Sequence, residues 1–241
     1  MKIKILTLKQ AIKLVKTHKP LFKWEIIEQL ESSVYNRKIK NETNSNDLLS
    51  DYLKNKELDF INTLESDKII EKLEQFSDGI LVYDGKTELK ELVIEKSIIL
   101  INGDLIVNHI IKDNYNNDCL FIVLGNLEVE SIITSSWMFI SGNLTCKNVL
   151  ICDSSRNKSM FVCGNMNSKT ILEIGHSIIV GGKLNAENIC YNSKYSIQDE
   201  NGFVETNIKI PIAEIVEDGK NNVNLNKAIN HLNEGGILFT I

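Results

Sequence analysis

Proline, aromatic residues and long apolar runs are scarce or absent in this sequence. Only 2 of 241 residues are proline and 7% are aromatic, which is typical of stacked short strands rather than a deep aromatic pocket. No run of about 18 apolar residues occurs, so no membrane-spanning helix is predicted. The five cysteines contain no CxxC pair, which predicts buried free thiols. The initial MKIKIL lacks the apolar core of a signal peptide, so we expect a cytoplasmic protein.

Charge is distributed unevenly along the chain. Residues 1–24 carry seven lysines and no acidic residue, so the net charge of −5 leaves −12 for residues 25–241. The lysines indicate either an anionic partner or membrane surface, or the solvated face of an amphipathic helix, and we favour the helix. The acidic remainder argues against a nucleic-acid partner, because phosphates are captured by a basic field.

An internal repeat is the most informative feature of the sequence. A glycine followed by Asn, Asp or Lys and then by Leu or Met recurs five times, with a degenerate earlier copy at Gly85. The spacings between these glycines are 18, 22, 17, 22 and 18 residues. They fit a coil of about 17 to 18 residues per turn with two short insertions. The later glycines are Gly103, Gly125, Gly142, Gly164 and Gly182.

Apolar residues alternate after each glycine, which predicts a strand with one buried face. Equivalent residues are expected to stack about 4.8 Å apart as columns. The first column is Leu105, Leu127, Leu144, Met166 and Leu184, and the second is Val107, Val129, Cys146, Ser168 and Ala186. A third lies seven residues after each glycine, at Ile110, Ile132, Val149, Ile171 and Ile189.

The repeat predicts a mainly β fold, a single-stranded β-helix (solenoid) of about five to six rungs with α-helical caps at both termini. Each glycine marks a corner that needs a positive φ or a close backbone approach. The adjacent asparagine tolerates left-handed geometry and can bond its own backbone. An antiparallel sheet with Gly-Asn hairpins is the disfavoured alternative, because hairpins would not hold the copies in register.

The flanks are predicted to cover the ends of the solenoid. Thr7 and Gln10 fit a capping box that starts a helix, and a second helix is expected from Ile26 to Val34. The expected division is a helical N-terminal cap over 1–79, a solenoid over 80–191 and a strand and helix cap over 192–241, all in one cooperative unit.

The sequence predicts no enzyme and no catalytic, cofactor-binding or metal-binding residue. It contains no HExxH, GxSxG or GxxxxGK[ST] motif. The histidines lie at predicted corners or helix ends, among them His176 between Gly175 and Ser177.

Two insertions, at residues 112–118 and 153–158, are the strongest candidates for a binding surface. They interrupt rungs at a similar phase two rungs apart, so both are expected on one side of the solenoid, roughly 10 Å apart. Loops on a rigid scaffold commonly bind partners. The predicted partner-binding residues are Asp113, Tyr115, Asn116, Asp118, Trp137, Asp153, Arg156 and Lys158. Trp137 is interpreted either as part of this surface or as core.

The Gly-Asn-Leu rungs of residues 80–191 resemble those of bactofilin-like, polymer-forming bacterial β-solenoids. The helical front and the Asp-Gly-helix end look more like the monomeric solenoid proteins found beside bacterial polymorphic toxins. That resemblance implies a non-enzymatic immunity protein, monomeric on its own, which binds a cognate toxin domain. The acidic balance of the chain suits a basic domain, and we expect no nucleic-acid partner and no membrane partner.

Two alternatives to this function stay open. One is a bactofilin-like polymerising scaffold. The other is a hexapeptide-type acyltransferase, favoured by aliphatic residues at six-residue spacing such as Ile132, Met138 and Leu144. His176 would be its general base, but this role is disfavoured because no carboxylate is recognised near His176 in the sequence.

Overall fold

The computed structural model describes residues 2–43, 80–94, 98–113, 119–154, 158–191 and 196–204, together with Lys227 and His231. The helices of this part are α1 (Leu8–His18) and α2 (Lys23–Thr43). The strands are β1 (Lys2–Leu6), β2 (Ile80–Asp84), β3 (Thr87–Leu89), β4 (Leu92–Ile94), β5 (Ile98–Asn102), β6 (Leu105–Asp113), β7 (Leu120–Val123), β8 (Leu127–Thr134), β9 (Trp137–Ile140), β10 (Leu144–Asp153), β11 (Ser159–Val162), β12 (Met166–Ile174), β13 (Ser177–Val180), β14 (Leu184–Tyr191), β15 (Ile197–Asp199) and β16 (Gly202–Phe203).

Strands β2 to β14 wind into a β-solenoid of about six turns, which confirms the predicted β-helix. Each turn adds a short strand to sheet A and a longer one to sheet B. Sheet A has the order β1-β2-β5-β7-β9-β11-β13-β15-β16, and sheet B has β14-β12-β10-β8-β6-β3, with β4 also on β6. All neighbours are parallel except the antiparallel pairs β1–β2 and β15–β16, which lie at the two ends of sheet A.

The interior consists of stacked columns of apolar side chains. Leu105, Leu127, Leu144, Met166 and Leu184 are paired in register from β6 to β14, as predicted. The second column, which starts at Val107, is confirmed by the same pairings. The degenerate copy at Gly85 also forms a rung, because Leu89 pairs with Val107 and Leu92 pairs with Ile111.

The predicted third column is wrong at two of its positions. Ile110 and Val149 are both aligned with Ser131, one step out of the column. The residues that follow them, Ile111 and Leu150, occupy the column instead. The cause is a register shift in β6 and in β10, where an extra residue forms a bulge. Counting residues from the glycine cannot show where the chain accommodates an extra residue.

The glycine corner is confirmed as a point of close backbone approach. A Cβ on Gly142 would lie 2.5 Å from the Asn126 Oδ1 atom and 2.7 Å from the Gly125 carbonyl oxygen. No side chain fits at these distances without displacing the neighbouring rung.

The asparagines beside the glycines act differently from the prediction. No asparagine in the described segments has a positive φ. Each side chain instead accepts a hydrogen bond from the main-chain N–H of the next rung, so the residues form a ladder that bonds consecutive turns. The ladder runs from Asn126 N to Asp104 Oδ1 (2.7 Å), Asn143 N to Asn126 Oδ1 (2.9 Å), Asn165 N to Asn143 Oδ1 (2.8 Å) and Lys183 N to Asn165 Oδ1 (2.9 Å).

Helix α1 begins at its predicted capping box, but α2 is longer than the predicted span of Ile26 to Val34, and both helices pack on the outer face of sheet A instead of over an end of the solenoid. The main-chain N–H of Gln10 donates to Thr7 Oγ1 (3.3 Å), and the N–H of Thr7 donates to Gln10 Oε1 (2.9 Å), which completes the capping box. The buried faces of both helices cover the outer face of sheet A. The residues in this cluster include Ala11, Val15, Ile26, Leu30, Leu100, Ile122, Phe139 and Phe161.

The helices therefore lie along the flank of the solenoid, and β1 pairs with the first strand of sheet A. The reason is visible in the strands. The residues of β7 are all buried, whereas those of β8 alternate between buried and half-buried. A strand with two buried faces needs a covering layer on its outer side.

The predicted helices within residues 47–76 lie outside the described residues. Of the predicted C-terminal helix, Lys227 and His231 are described, and both are helical. The division at 79 and 191 stays a prediction. Strand β15 pairs in parallel with β13 and so continues sheet A beyond residue 191.

Candidate functional site

One corner of the solenoid carries connections of different lengths, and we call it the variable corner. It is where each sheet B strand is followed by a sheet A strand, at residues 95–97, 114–119, 135–136, 154–158, 175–176 and 192–196. The opposite Gly-Asn corner is nearly uniform from rung to rung. Both predicted insertions fall on the variable corner, as their shared phase predicted.

Three of the eight predicted partner-binding residues lie at the ends of these connections. Asp113 is the last residue of β6 and Asp153 the last of β10, while Lys158 directly precedes β11. Because β8 lies between β6 and β10, the two loops are two rungs apart. Four others lie outside the described residues: Tyr115, Asn116, Asp118 and Arg156.

Trp137 begins β9 and lies on the rung between the two insertions. Its ring is stacked on Phe139 and Phe161, with centroids 6.2 and 6.3 Å away, on the outer face of sheet A. It is partly buried against the helix-covered cluster. Trp137 thus belongs to the edge of this outer core and keeps part of its surface beside the variable corner.

Asp113 holds the start of the first insertion. Its Oδ2 accepts a hydrogen bond from Thr134 Oγ1 (2.6 Å), and its Oδ1 accepts one from Ser135 Oγ (2.9 Å). The main-chain N–H of Ser135 donates to the same carboxylate at 2.9 Å. Charge-assisted bonds of this kind are stronger than neutral ones, so Asp113 fastens the loop to the next rung.

Ser154 and Lys158 hold the second insertion closed. The main-chain N–H of Lys158 donates to Ser154 Oγ (3.1 Å), and the N–H of Ser154 donates to the Ile174 carbonyl oxygen (3.0 Å). Both residues are buried. The loop between them therefore begins and ends on the scaffold.

Beneath the variable corner lies a buried polar cluster, which sequence reasoning missed. Glu173 is 1% exposed and accepts hydrogen bonds from the main-chain N–H of His176 (2.7 Å) and from Ser196 Oγ. Glu173 stands three residues before His176, so the premise that no carboxylate lies near this histidine is wrong. The carboxylate contacts the backbone of His176, however, and not its ring.

His176 is fully buried, and neither ring nitrogen has a hydrogen-bond partner within the described part of the chain. Burial lowers the pKa of His176 to about 4 because the charged ring would lose its hydration. Asp113 raises this pKa and Lys158 lowers it, which places both charges near the ring. The ring is therefore neutral at pH 7. The sequence did contain a signal for this cluster: Glu173 stands two residues after Ile171, so strand alternation places its side chain on the same buried face.

The cysteines are free thiols, as predicted. Burial raises the pKa of Cys146 to about 12 and that of Cys190 to about 11. It also raises the pKa of Cys152 well above its usual value, with nearby Glu173 adding to the effect. These thiols stay protonated and are poor nucleophiles.

A shallow groove of about 600 Å³ lies on the outer face of sheet B. Its polar lining comes from β10, β12 and β14, at the level of the bulge in β10. Asn185 Nδ2 donates to Asn167 Oδ1 (3.0 Å) along its floor. The groove offers a second solenoid face for a partner, lined by Thr145, Lys147, Asn167, Lys169, Asn185 and Glu187.

The described segments contain neither a metal-binding cluster nor a membrane-spanning helix. No group of three or more His, Cys, Asp or Glu side chains there is arranged to hold a metal ion. No helix there is both long enough and apolar enough to cross a bilayer.

Comparison with known proteins adds no relative. No family model, no curated protein and no solved structure matches this chain.

Proposed function

We propose that this chain is a non-enzymatic protein-binding β-solenoid whose partner engages the variable corner. The observation that carries the proposal is that hydrogen bonds attach both long insertions to one corner, through Asp113 at the start of the first and through Ser154 and Lys158 at the two ends of the second. A loop held in this way loses less conformational entropy on binding than a free loop does. Trp137 adds an aromatic surface between the two loops, and aromatic residues are enriched in binding hot spots.

The proposed form of this function is an immunity protein that neutralises a cognate bacterial toxin in the cytoplasm. Support comes from the resemblance of the Gly-Asn-Leu rungs with helical flanks to solenoid proteins encoded beside polymorphic toxins. The charge of −12 over residues 25–241 would favour a basic toxin domain.

A polymerising scaffold is the second candidate, and β1 counts against it. Polymers of stacked solenoids need open strand edges at both ends. The first edge of sheet A is instead paired with β1, which runs antiparallel to β2 from Lys2–Asp84 to Leu6–Ile80. At the other end of the same sheet, β15 and β16 form an antiparallel pair. Sedimentation of a monodisperse monomer at high concentration would remove this candidate.

The acyltransferase alternative would require His176 to act as a general base on a bound acyl thioester. A ring that is 0% exposed cannot reach a substrate unless the corner opens. Calorimetry with acyl-CoA tests this alternative directly.

Co-expression with the product of the adjacent upstream gene tests the immunity proposal. We expect rescue from toxicity and co-purification of the two proteins. Two loop variants, Asp118→Arg and Arg156→Glu, should weaken rescue. Lys90→Glu, an exposed position outside the variable corner, is the matched control and should rescue fully. Lack of both rescue and binding by the folded wild type would refute the proposal.

A further inference from the structure

The turn between α1 and α2 exposes two large apolar side chains. Leu21 is 64% exposed and Trp24 is 63% exposed, more than any other large hydrophobic residue in the described segments. The turn itself is held firmly. Phe22 packs against Phe161 with ring centroids 5.0 Å apart, and a Cβ on Gly181 would lie 2.5 Å from Leu21 Cδ2. The packing of the turn thus leaves Leu21 and Trp24 facing water.

Lysines lie on the α1 side of these two side chains, while the exposed acids Glu25 and Glu28 follow Trp24 in α2. The ammonium nitrogens of Lys16 and Lys23 lie 6.0 and 5.1 Å from the centroid of the Trp24 ring. Lys19 occupies the C-cap of α1, and Lys13 lies on the exposed face of α1. None of these lysines has a carboxylate within 4.0 Å in the described part of the chain. No acidic residue occurs in the sequence before Glu25.

We propose that this turn, Lys16 to Trp24, is a peripheral binding surface for anionic phospholipid bilayers. Tryptophan prefers the headgroup level of a membrane, where its apolar ring is buried and its N–H stays hydrated. Lysines beside it are attracted to anionic headgroups while their methylene stems cover apolar surface. From the sequence alone, these lysines were interpreted as the solvated face of an amphipathic helix. The structure adds two exposed apolar side chains, Leu21 and Trp24, which a purely solvated face would not have.

A bilayer fits this surface better than a protein partner does. The two apolar residues project from a turn and do not line a groove, and a fluid bilayer needs no shaped complement to accept them. A protein hot spot would instead be expected in a well-packed pocket. The surface lies at the Gly181 end of β13, whereas the variable corner precedes β13, so this proposal is independent of the proposed function.

Tryptophan fluorescence and vesicle flotation together test the proposal. Trp137→Phe keeps a ring on the aromatic stack and leaves Trp24 as the only tryptophan. In this background, vesicles containing phosphatidylglycerol should shift Trp24 emission to shorter wavelength at low salt, and pure phosphatidylcholine vesicles should not. Raised salt should reverse the shift, because it screens the lysines.

Variants of the wild-type protein then separate charge from apolar contact. Each Lys→Gln change at Lys16, Lys19 or Lys23 should weaken flotation about fivefold, and the triple variant about a hundredfold. Trp24→Ala should weaken it by about tenfold or more. Phe203→Ala removes another exposed ring, and Lys90→Gln removes another exposed lysine, so both controls should float like the wild type.

Three results would overturn the proposal. The first is no flotation of the wild type with phosphatidylglycerol vesicles at low salt. The second is equal flotation with neutral vesicles. The third is a Trp24 shift with polyglutamate but not with vesicles, which would assign the surface to an acidic protein instead.

Discussion

Acidification should destabilise the fold through His176, because its buried ring has to remain neutral. The pKa of His176 is lowered from 6.5 to about 4 in the folded chain. Between these values the unfolded chain binds a proton that the folded chain does not. Above pH 6.5 this histidine is neutral in both states and does not reduce the free energy of unfolding. As the pH falls from 6.5 toward 4, the unfolded chain is stabilised by protonation, so the free energy of unfolding decreases.

The magnitude follows from this pKa difference. Each unit corresponds to about 1.4 kcal/mol, so the complete effect is about 3 kcal/mol and the loss between pH 7 and pH 5 is about 2 kcal/mol. The charged groups that share this corner with the His176 ring are the carboxylates of Asp113 and Glu173 and the ammonium group of Lys158.

Urea unfolding of the wild type and of His176→Gln at pH 7 and pH 5 measures the effect. The wild type should lose about 2 kcal/mol more than the variant over this interval, whatever the variant's own stability. His109→Gln replaces an exposed histidine and should keep the wild-type pH dependence. If His176→Gln does not fold, NMR titration of the wild type gives the pKa directly. Equal pH dependence of the two proteins, or a measured His176 pKa near 6.5, would refute the reasoning.

Three further predictions concern the glycine corner and the thiols. Gly142→Ala should lower the free energy of unfolding in urea by roughly 2–4 kcal/mol, because its Cβ would lie 2.5 Å from Asn126 Oδ1; a loss below 0.5 kcal/mol would contradict this. Asn143→Ala should cost about 1 kcal/mol in the same assay, because Asn165 N loses its acceptor, and Asn143→Asp should restore most of it. The buried Cys152 thiol should react with Ellman's reagent only after unfolding, whereas half-buried Cys163, whose pKa is also raised by burial, should react slowly in the native state; fast native labelling of Cys152 would argue against its burial.

The fold could be predicted from the sequence because a solenoid repeats one local pattern. Leu105 and Leu127 occupy equivalent places after their glycines, so the spacing alone placed them in one column. The bulge before Val149 could not be located, since inserting a residue anywhere between two columns leaves the same count. The packing of α1 and α2 on sheet A could not be predicted either. An amphipathic pattern shows that one face of a helix is buried, but it does not show which other element covers that face.

The buried cluster at the variable corner is harder to predict than the loops above it. Glu173 and Ser196 come from different rungs, 23 residues apart in the sequence, and meet only when the sheets are stacked in register. Each residue alone resembles an ordinary polar corner residue. The loops themselves were found because an insertion changes the spacing of the repeat, which one sequence suffices to show.

The two corners of the solenoid have different roles: the Gly-Asn corner specifies the fold, and the variable corner is the proposed binding surface. The Gly-Asn corner sets the register, because each asparagine bonds the next rung and each glycine leaves room for it. The bulge in β10 absorbs an extra residue, and Leu150 after it is again in register with Ile132. Beyond the loop at residues 154–158, Met160 is in register with Met138. Loop length at the variable corner is therefore uncoupled from the core. Asp113 and Ser154 should be constrained by the scaffold, whereas changes within the loops they hold should alter partner choice at little cost in stability.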